Sequence, residues 1–192
     1  MEELKNKILR EGHAIGTQIV KVDGFINHQI DVAFMEKVGK ELARRFDYIK
    51  VDKILTVEAS GIAIACLAAP FFGYPRVVFA KKTKPSTMTG EFYGAEAKSF
   101  TKNTVSMVRV SKEFINPGDR VLILDDFMAH GEAATALTEV VEQACAKVEG
   151  VGIVIEKAFQ GGGEKLRRRG YRVESLAIVE KIVDGNITFR SK

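Results

Sequence analysis

The chain has 192 residues, 46% of them hydrophobic and 28% charged, and carries a formal net charge of +4. That length suits one α/β domain with a buried core, and the small cationic surplus fits an anionic substrate as well as it fits nucleic acid. Two cysteines in neither CxxC nor ligand spacing exclude a zinc module or a disulfide scaffold, and the longest apolar run, residues 62–72, contains Pro70 and falls short of the ~20 residues that span a bilayer.

Cys66 and Cys145 stand among apolar neighbours and read as core thiols of a reducing compartment. The opening Met1-Glu2-Glu3-Leu4-Lys5 lacks the apolar stretch of a secretory leader, so a cytoplasmic protein is expected. Without linker, repeat or low-complexity tract, residues 1–192 read as a single domain.

In chain order, Glu2 and Glu3 open a short helix with Leu4 and Ile8 on one face, stopped at Gly12. Asp31 is placed to cap a second helix, in which Met35, Val38, Leu42 and Phe46 keep a helical period. Lys53-Ile54-Leu55-Thr56-Val57 reads as a buried strand, and Gly61 precedes a helix of small residues running toward Pro70. Val77-Val78-Phe79-Ala80 is a second buried strand. Residues 81–104 are polar, with Pro85 and Gly90, and read mostly as a long loop or flap, flexible without ligand and returning through a strand at 105–110.

Asn116-Pro117-Gly118-Asp119 is a turn feeding Val121-Leu122-Ile123-Leu124. Apolar positions from 133 to 148 trace one face of a helix, and Val151-Gly152-Ile153-Val154-Ile155 is the next buried strand. Gly161-Gly162-Gly163 reads as plain loop, and Arg167-Arg168-Arg169 as the cationic last turn of a short helix. Asp184-Gly185 is a hairpin turn. Continuous apolar strands alternating with helices imply a parallel sheet covered on both faces, whose ligands sit beyond the strands' carboxyl ends. The chemistry is therefore expected after Val57, Ala80, Leu124 and Ile155.

After Leu124 come Asp125 and Asp126, whose carboxylates are natural acceptors for vicinal sugar hydroxyls. The small-residue loop Ala129, His130, Gly131, Glu132, Ala133 leads into a helix, and its amides suit an anion. After Val57, Ser60 and Gly61 form a strand–Gly–helix turn that admits close anion approach. After Ala80, Lys81 and Lys82 place cations for a pyrophosphate group. After Ile155, Lys157 is a pure donor and favours a ring bearing carbonyl oxygens over one bearing an exocyclic amine; Phe127 offers a ring to stack on it.

The apolar strand, Asp-Asp pair, short loop and helix resemble the phosphoribosyl-pyrophosphate motif of the type I phosphoribosyltransferase family. The segments Lys21-Val22-Asp23-Gly24-Phe25-Ile26-Asn27-His28-Gln29-Ile30-Asp31, Val78-Phe79-Ala80-Lys81-Lys82, Gly152-Ile153-Val154-Ile155-Glu156-Lys157 and Gly170-Tyr171-Arg172-Val173-Glu174-Ser175-Leu176-Ala177 resemble its bacterial xanthine branch nearly end to end. The resemblance implies a type I phosphoribosyltransferase fold of the α/β class, with helices flanking a mostly parallel sheet, a flap, and a base-binding hood from about 1–35 and 157–192. It implies that Asp125 and Asp126 hold the ribose hydroxyls, Ala129 to Ala133 the 5′-phosphate, Ser60, Gly61, Lys81 and Lys82 the pyrophosphate, and that Val20, Asn27 and Lys157 contact the base. It further implies a homodimer that joins xanthine to phosphoribosyl pyrophosphate (PRPP), with Mg²⁺ carried mainly by PRPP and not by a dedicated protein cage.

The chain departs from the family pattern in having Ala59-Ser60 for Ser-Arg, Val20 for Leu and His130 for Asn. The Asn27 amide can serve a 2-oxo or a 2-amino group, so guanine or hypoxanthine stays open as substrate on residue chemistry. A PRPP-sensing regulator without turnover is the non-enzymatic alternative. It finds no helix-turn-helix ahead of the first core strand and no broad basic face, and partners of nucleic acid or membrane are not expected.

Overall fold

The computed structural model describes residues 1–83, 90–99 and 104–191. Helix α1 (Glu2–Glu11) is followed by a small hairpin of β1 (His13–Ile15) and β2 (Ile19–Lys21), a π-type turn at Asp23–Asn27, and α2 (Val32–Arg45). Then come β3 (Lys53–Val57), α3 (Ser60–Ala68) with a 3-10 turn at Ala69–Phe72, and β4 (Arg76–Ala80). A hairpin of β5 (Phe92–Ser99) and β6 (Thr104–Ser111) precedes β7 (Arg120–Met128), α4 (Glu132–Gln143), β8 (Lys147–Lys157), α5 (Gly162–Arg168), β9 (Val173–Val183) and β10 (Asn186–Phe189).

The main sheet runs β10-β9-β8-β7-β3-β4, and every neighbouring pair is parallel except the closing β9–β10 hairpin. Strand alternation sends Leu122 and Leu124 to the α2/α3 face with Met35, Val38, Leu42 and Ile64. It sends Val121 and Ile123 to the α4 face with Leu137, Val140 and Val141. All of these are essentially inaccessible to solvent, and each such side chain stabilises the fold by ~1.5–3 kcal/mol. Among the described residues no helix is long and apolar enough to cross a membrane.

The first two helices form as their sequences dictate. Leu4 and Ile8 are fully buried and Gly12 follows the last turn of α1. Asp31 Oδ1 accepts from the Phe34 amide 3.0 Å away, a cap of ~1 kcal/mol at the start of α2. Lys7 reaches the other Asp31 oxygen at 2.9 Å and lies over the rings of Phe25 and Phe34, tying α1 to the turn before α2.

Four local expectations are corrected. Residues 92–99 are a strand and not flap: β5 pairs with β6 over its whole length, and Gln143 of α4 both accepts from and donates to the Gly94 backbone. The rest of the expected flap at 84–89 and 100–103 lies outside the described residues. Helix α4 ends at Gln143 and not near 148, because Cys145 takes a left-handed conformation (φ 52°) and Lys147 already begins β8. Both cysteines are exposed free thiols: Cys66 lies off the Ile64–Ala65–Ala68 face of α3, and Cys145 sits in that same turn. Gly162 and Gly163 are buried in the first turn of α5, not in a loop.

The direction in which successive strands are added to the sheet reverses between β3 and β7. From β3 the chain moves outward to β4; from β7 it moves the other way through β8 and β9. Such a switch point leaves a crevice beyond the strand ends, and here it is bounded by Glu58 to Gly61 on one side and Asp125 to Phe127 on the other.

Candidate active site

Strand β7 continues past the point where β3 stops pairing with it, so Asp125, Asp126 and Phe127 ride on a strand held by β8 alone. Asp125 is buried and Asp126 only partly so. The Asp126 amide donates to Asp125 Oδ1 at 3.0 Å, turning the inner carboxylate back toward the backbone. Burial first, and the charge of Asp126 second, push the Asp125 carboxyl well above the usual carboxylate range; the nearby Lys82 works the other way.

Facing the pair, the Glu58–Ala59 peptide is cis and leads into Ser60 and Gly61 at the start of α3. A Cβ on Gly61 would stand 2.0 Å from Thr56 Oγ1 and 3.1 Å from Asp125 Oδ1, so only glycine lets the helix start so close to the acidic pair. Glu58 Oε1 accepts the Lys82 amide at 2.6 Å and joins the ends of β3 and β4. Lys82 therefore stands by the acidic pair. Lys81 does not: its ammonium lies 5.0 Å from the ring centre of Phe79, and its backbone exchanges two hydrogen bonds of 2.9 Å with Arg109 of β6.

The N-terminal segment closes over this crevice. The π-type turn presents Asn27, whose Nδ2 donates to Asp126 Oδ2 at 2.5 Å and to Ser60 Oγ at 3.1 Å. Val20 of β2 is buried, and Phe127 packs partly buried against the same cluster. Lys157, at the end of β8, donates to the Gln18 carbonyl at 3.1 Å, and Gln160 Nε2 donates to Gln18 Oε1 at 2.9 Å. Burial holds the Lys157 pKa below the ordinary lysine value.

Just past the same carboxyl end of β7, Ala129, His130 and Gly131 form a tight loop into α4. Gly131 (φ 80°) occupies the left-handed position at the helix start. His130 Nδ1 meets the Gln160 carbonyl at 3.2 Å, and Glu132 pairs with Lys165 at 3.0 Å. The pairing matters because a lone carboxylate there would oppose any anion bound by the loop. Ala133 follows in the first turn of α4, partly buried.

The structure thus gathers Asp125, Asp126, Phe127, Asn27, Ser60, Gly61, Lys82 and Lys157 with the 129–133 loop around one crevice. Sequence reasoning missed Glu58, Gln18 and Gln160, because a lone Glu or Gln in a loop carries no pattern. It also assigned Arg167 to dipole compensation alone, whereas Arg167 forms a two-pronged ion pair with Glu156 at 2.8 and 3.0 Å. Two adjacent carboxylates, one of them open to solvent, are the hard oxygen donors that Mg²⁺ takes. Among the described residues no three His, Cys, Asp or Glu side chains gather to form a cage.

An open parallel sheet with an acidic pair and two small-residue loops at its switch point is the type I phosphoribosyltransferase fold. Adenine phosphoribosyltransferase of Saccharomyces cerevisiae, solved with adenine and an imino-altritol bisphosphate, shares it with a TM-score of 0.74 and 23% identity over 92% of this chain and 99% of that one. Two curated relatives are closer in sequence, and both are named xanthine phosphoribosyltransferase. The protein of Clostridium novyi is 52% identical over 191 residues, covering 100% of both chains. That of Clostridioides difficile is 51% identical over 190 residues, covering 99% of this chain and 100% of its own. No protein-family model matches the sequence. The chain belongs to the xanthine phosphoribosyltransferase family.

Proposed function

We infer that the protein transfers the 5-phosphoribosyl group of PRPP to xanthine, giving xanthosine monophosphate and pyrophosphate in purine salvage. The observation that carries this reading is the placement of Asp125-Asp126 beside Asn27, Ser60 and Gly61 at the switch point, in a chain of this family. In this reading Asp126, with Asp125 behind it, accepts from the ribose 2′- and 3′-hydroxyls. The amides of Ala129 to Ala133 and the start of α4 hold the 5′-phosphate, with His130 alongside. Lys82, Ser60 and the Gly61 turn receive the pyrophosphate, and Lys81 reaches it by swinging off Phe79.

Xanthine lies against Phe127 and Val20. Lys157 donates to a ring carbonyl oxygen, and Asn27 contacts the base edge. The hood that supplies these groups comes from about 1–35 and 157–192 of a single domain. A purine ring nitrogen forms its bond to the anomeric carbon as the bond from that carbon to the pyrophosphate oxygen breaks. The nitrogen's proton goes to solvent. Asp125 and Asp126 would meet the Mg²⁺ carried in mainly by PRPP, which when bound would supply charge neutralisation for the leaving group. Positioning and electrostatics supply the rate, with no covalent enzyme intermediate. The protein acts in the cytoplasm as a homodimer.

The test is product analysis with xanthine and PRPP, with Mg²⁺ present and after chelation. Stoichiometric xanthosine monophosphate and pyrophosphate, lost on chelation, is the expected result. PRPP binding without product would instead favour the sensing reading.

A further inference from the structure

Buried beneath the site is a charged group that the catalytic reading does not use. Glu156, the residue before Lys157, is 2% exposed. Its two oxygens take the fork of Arg167 on α5 and a hydrogen bond from Ser175 on β9. Burial opposes its charge, yet these donors hold its pKa below the ordinary carboxylate value. Helix α5 rests directly on this ion pair, for a Cβ on Gly163 would stand 2.2 Å from Glu156 Oε1 and 2.8 Å from Arg167 Nη1.

The other side of the same helical turn rests on the loop assigned to the 5′-phosphate. A Cβ on Gly162 would stand 2.4 Å from the Gly131 nitrogen and 2.5 Å from the Ala129 carbonyl oxygen. The Gly162 amide donates to that carbonyl at 3.0 Å, and Lys165 reaches Glu132 at 3.0 Å. One seven-residue helix therefore fills the space between the strand end bearing Lys157 and the loop at the start of α4.

We propose that Arg167 is a positioning residue: by clamping α5 onto Glu156 it sets the 129–131 loop at the height the 5′-phosphate requires, and fixes its distance from Lys157. The proposal rests on the phosphoribosyltransferase reading of the site.

The experiment measures Mg·PRPP affinity by titration calorimetry, with melting temperature and steady-state kinetics alongside. The variants are Arg167→Met, the double variant Glu156→Gln/Arg167→Met, and Gly162→Ala. Arg167→Met is expected to weaken PRPP binding and to lower kcat/KM on the order of 100-fold, the scale of ångström misplacement of bound groups. The double variant removes both charges; it is expected to recover melting temperature without recovering PRPP affinity. Gly162→Ala keeps the ion pair and pushes on the loop directly, so it is expected to lose affinity too, and it decides the matter if Arg167→Met does not fold. Wild-type affinity in folded Arg167→Met or in Gly162→Ala, or affinity that returns with stability in the double variant, overturns the proposal. Absence of PRPP binding by the wild-type protein overturns the functional reading beneath it.

Discussion

The side-chain amide of Asn27 donates to the Asp126 carboxylate across 99 residues of sequence. The group assigned to the base edge thus hydrogen-bonds the group assigned to the ribose. On the proposed reading, ribose hydroxyls at Asp126 compete with that amide and release it toward the base. This implies an order in which PRPP binds before xanthine. Asn27→Ala removes the competitor, so PRPP affinity is expected to hold or rise modestly, while KM for xanthine increases. A loss of PRPP affinity equal to the loss for xanthine would show that Asn27 does not stand between the two.

Asp125 gives a pH prediction. Burial, and then the Asp126 charge, raise its pKa in the folded protein. A carboxyl with a higher pKa folded than unfolded binds its proton more tightly in the native state. Its contribution to stability is full below the unfolded value of about 3.9 and is lost as pH rises through the native value. Asp125→Asn cannot ionise. The unliganded variant is expected to melt above wild type at pH 8, with a smaller gap at pH 5, while turnover falls at both. An Asp125→Asn melting temperature below wild type by the same amount at both pH values would contradict this.

Much of this site was legible because its elements are dictated locally. The run Val121-Leu122-Ile123-Leu124 ending in two carboxylates specifies a buried strand with polar groups at its end. The Asp31 cap and the 35/38/42/46 spacing specify α2. What was not legible depends on distant partners. Residues 92–99 are polar enough to read as loop, and become a strand through β6 and Gln143. The small residues at 161–163 look featureless until the Gly131 backbone and Glu156 are placed on either side of them. Cys145 reads as helix core because the apolar period continues past the left-handed turn that ends α4.

Lys157 is expected to set base preference more than sugar-phosphate affinity. Its ammonium emerges from a strand end with one donor held by Gln18 and others left for a ring carbonyl. Lys157→Met keeps the stem and removes every donor. Losing a charge-assisted bond costs ~1.5–3 kcal/mol, or on the order of 10- to 100-fold in kcat/KM for xanthine. Mg·PRPP affinity, read by calorimetry, is expected to change far less. Collapse of PRPP binding with base selectivity intact would move Lys157 to the phosphate site.

Gly61→Ala tests the pyrophosphate side. The new methyl meets the Thr56 hydroxyl at 2.0 Å, so the turn or the buried strand must shift, at a cost of ~1–3 kcal/mol by the usual scale of overpacking. Lower melting temperature and weaker Mg·PRPP binding are both expected. Thr56→Ser/Gly61→Ala leaves the same contact and is not expected to rescue either. A Gly61→Ala protein with wild-type PRPP affinity would show that this turn does not receive the pyrophosphate.

On the proposed reading this crevice joins an oxopurine to phosphoribosyl pyrophosphate and prefers xanthine. The most direct measurement is kcat/KM for xanthine, guanine, hypoxanthine and adenine at saturating Mg·PRPP, with the nucleotide products identified. Xanthine is expected first, on the strength of the family to which the chain belongs, with the other oxopurines behind it and adenine last, because Lys157 can donate to a carbonyl and cannot accept from an amine. Adenine or guanine in first place, or no turnover with any of the four, would contradict it.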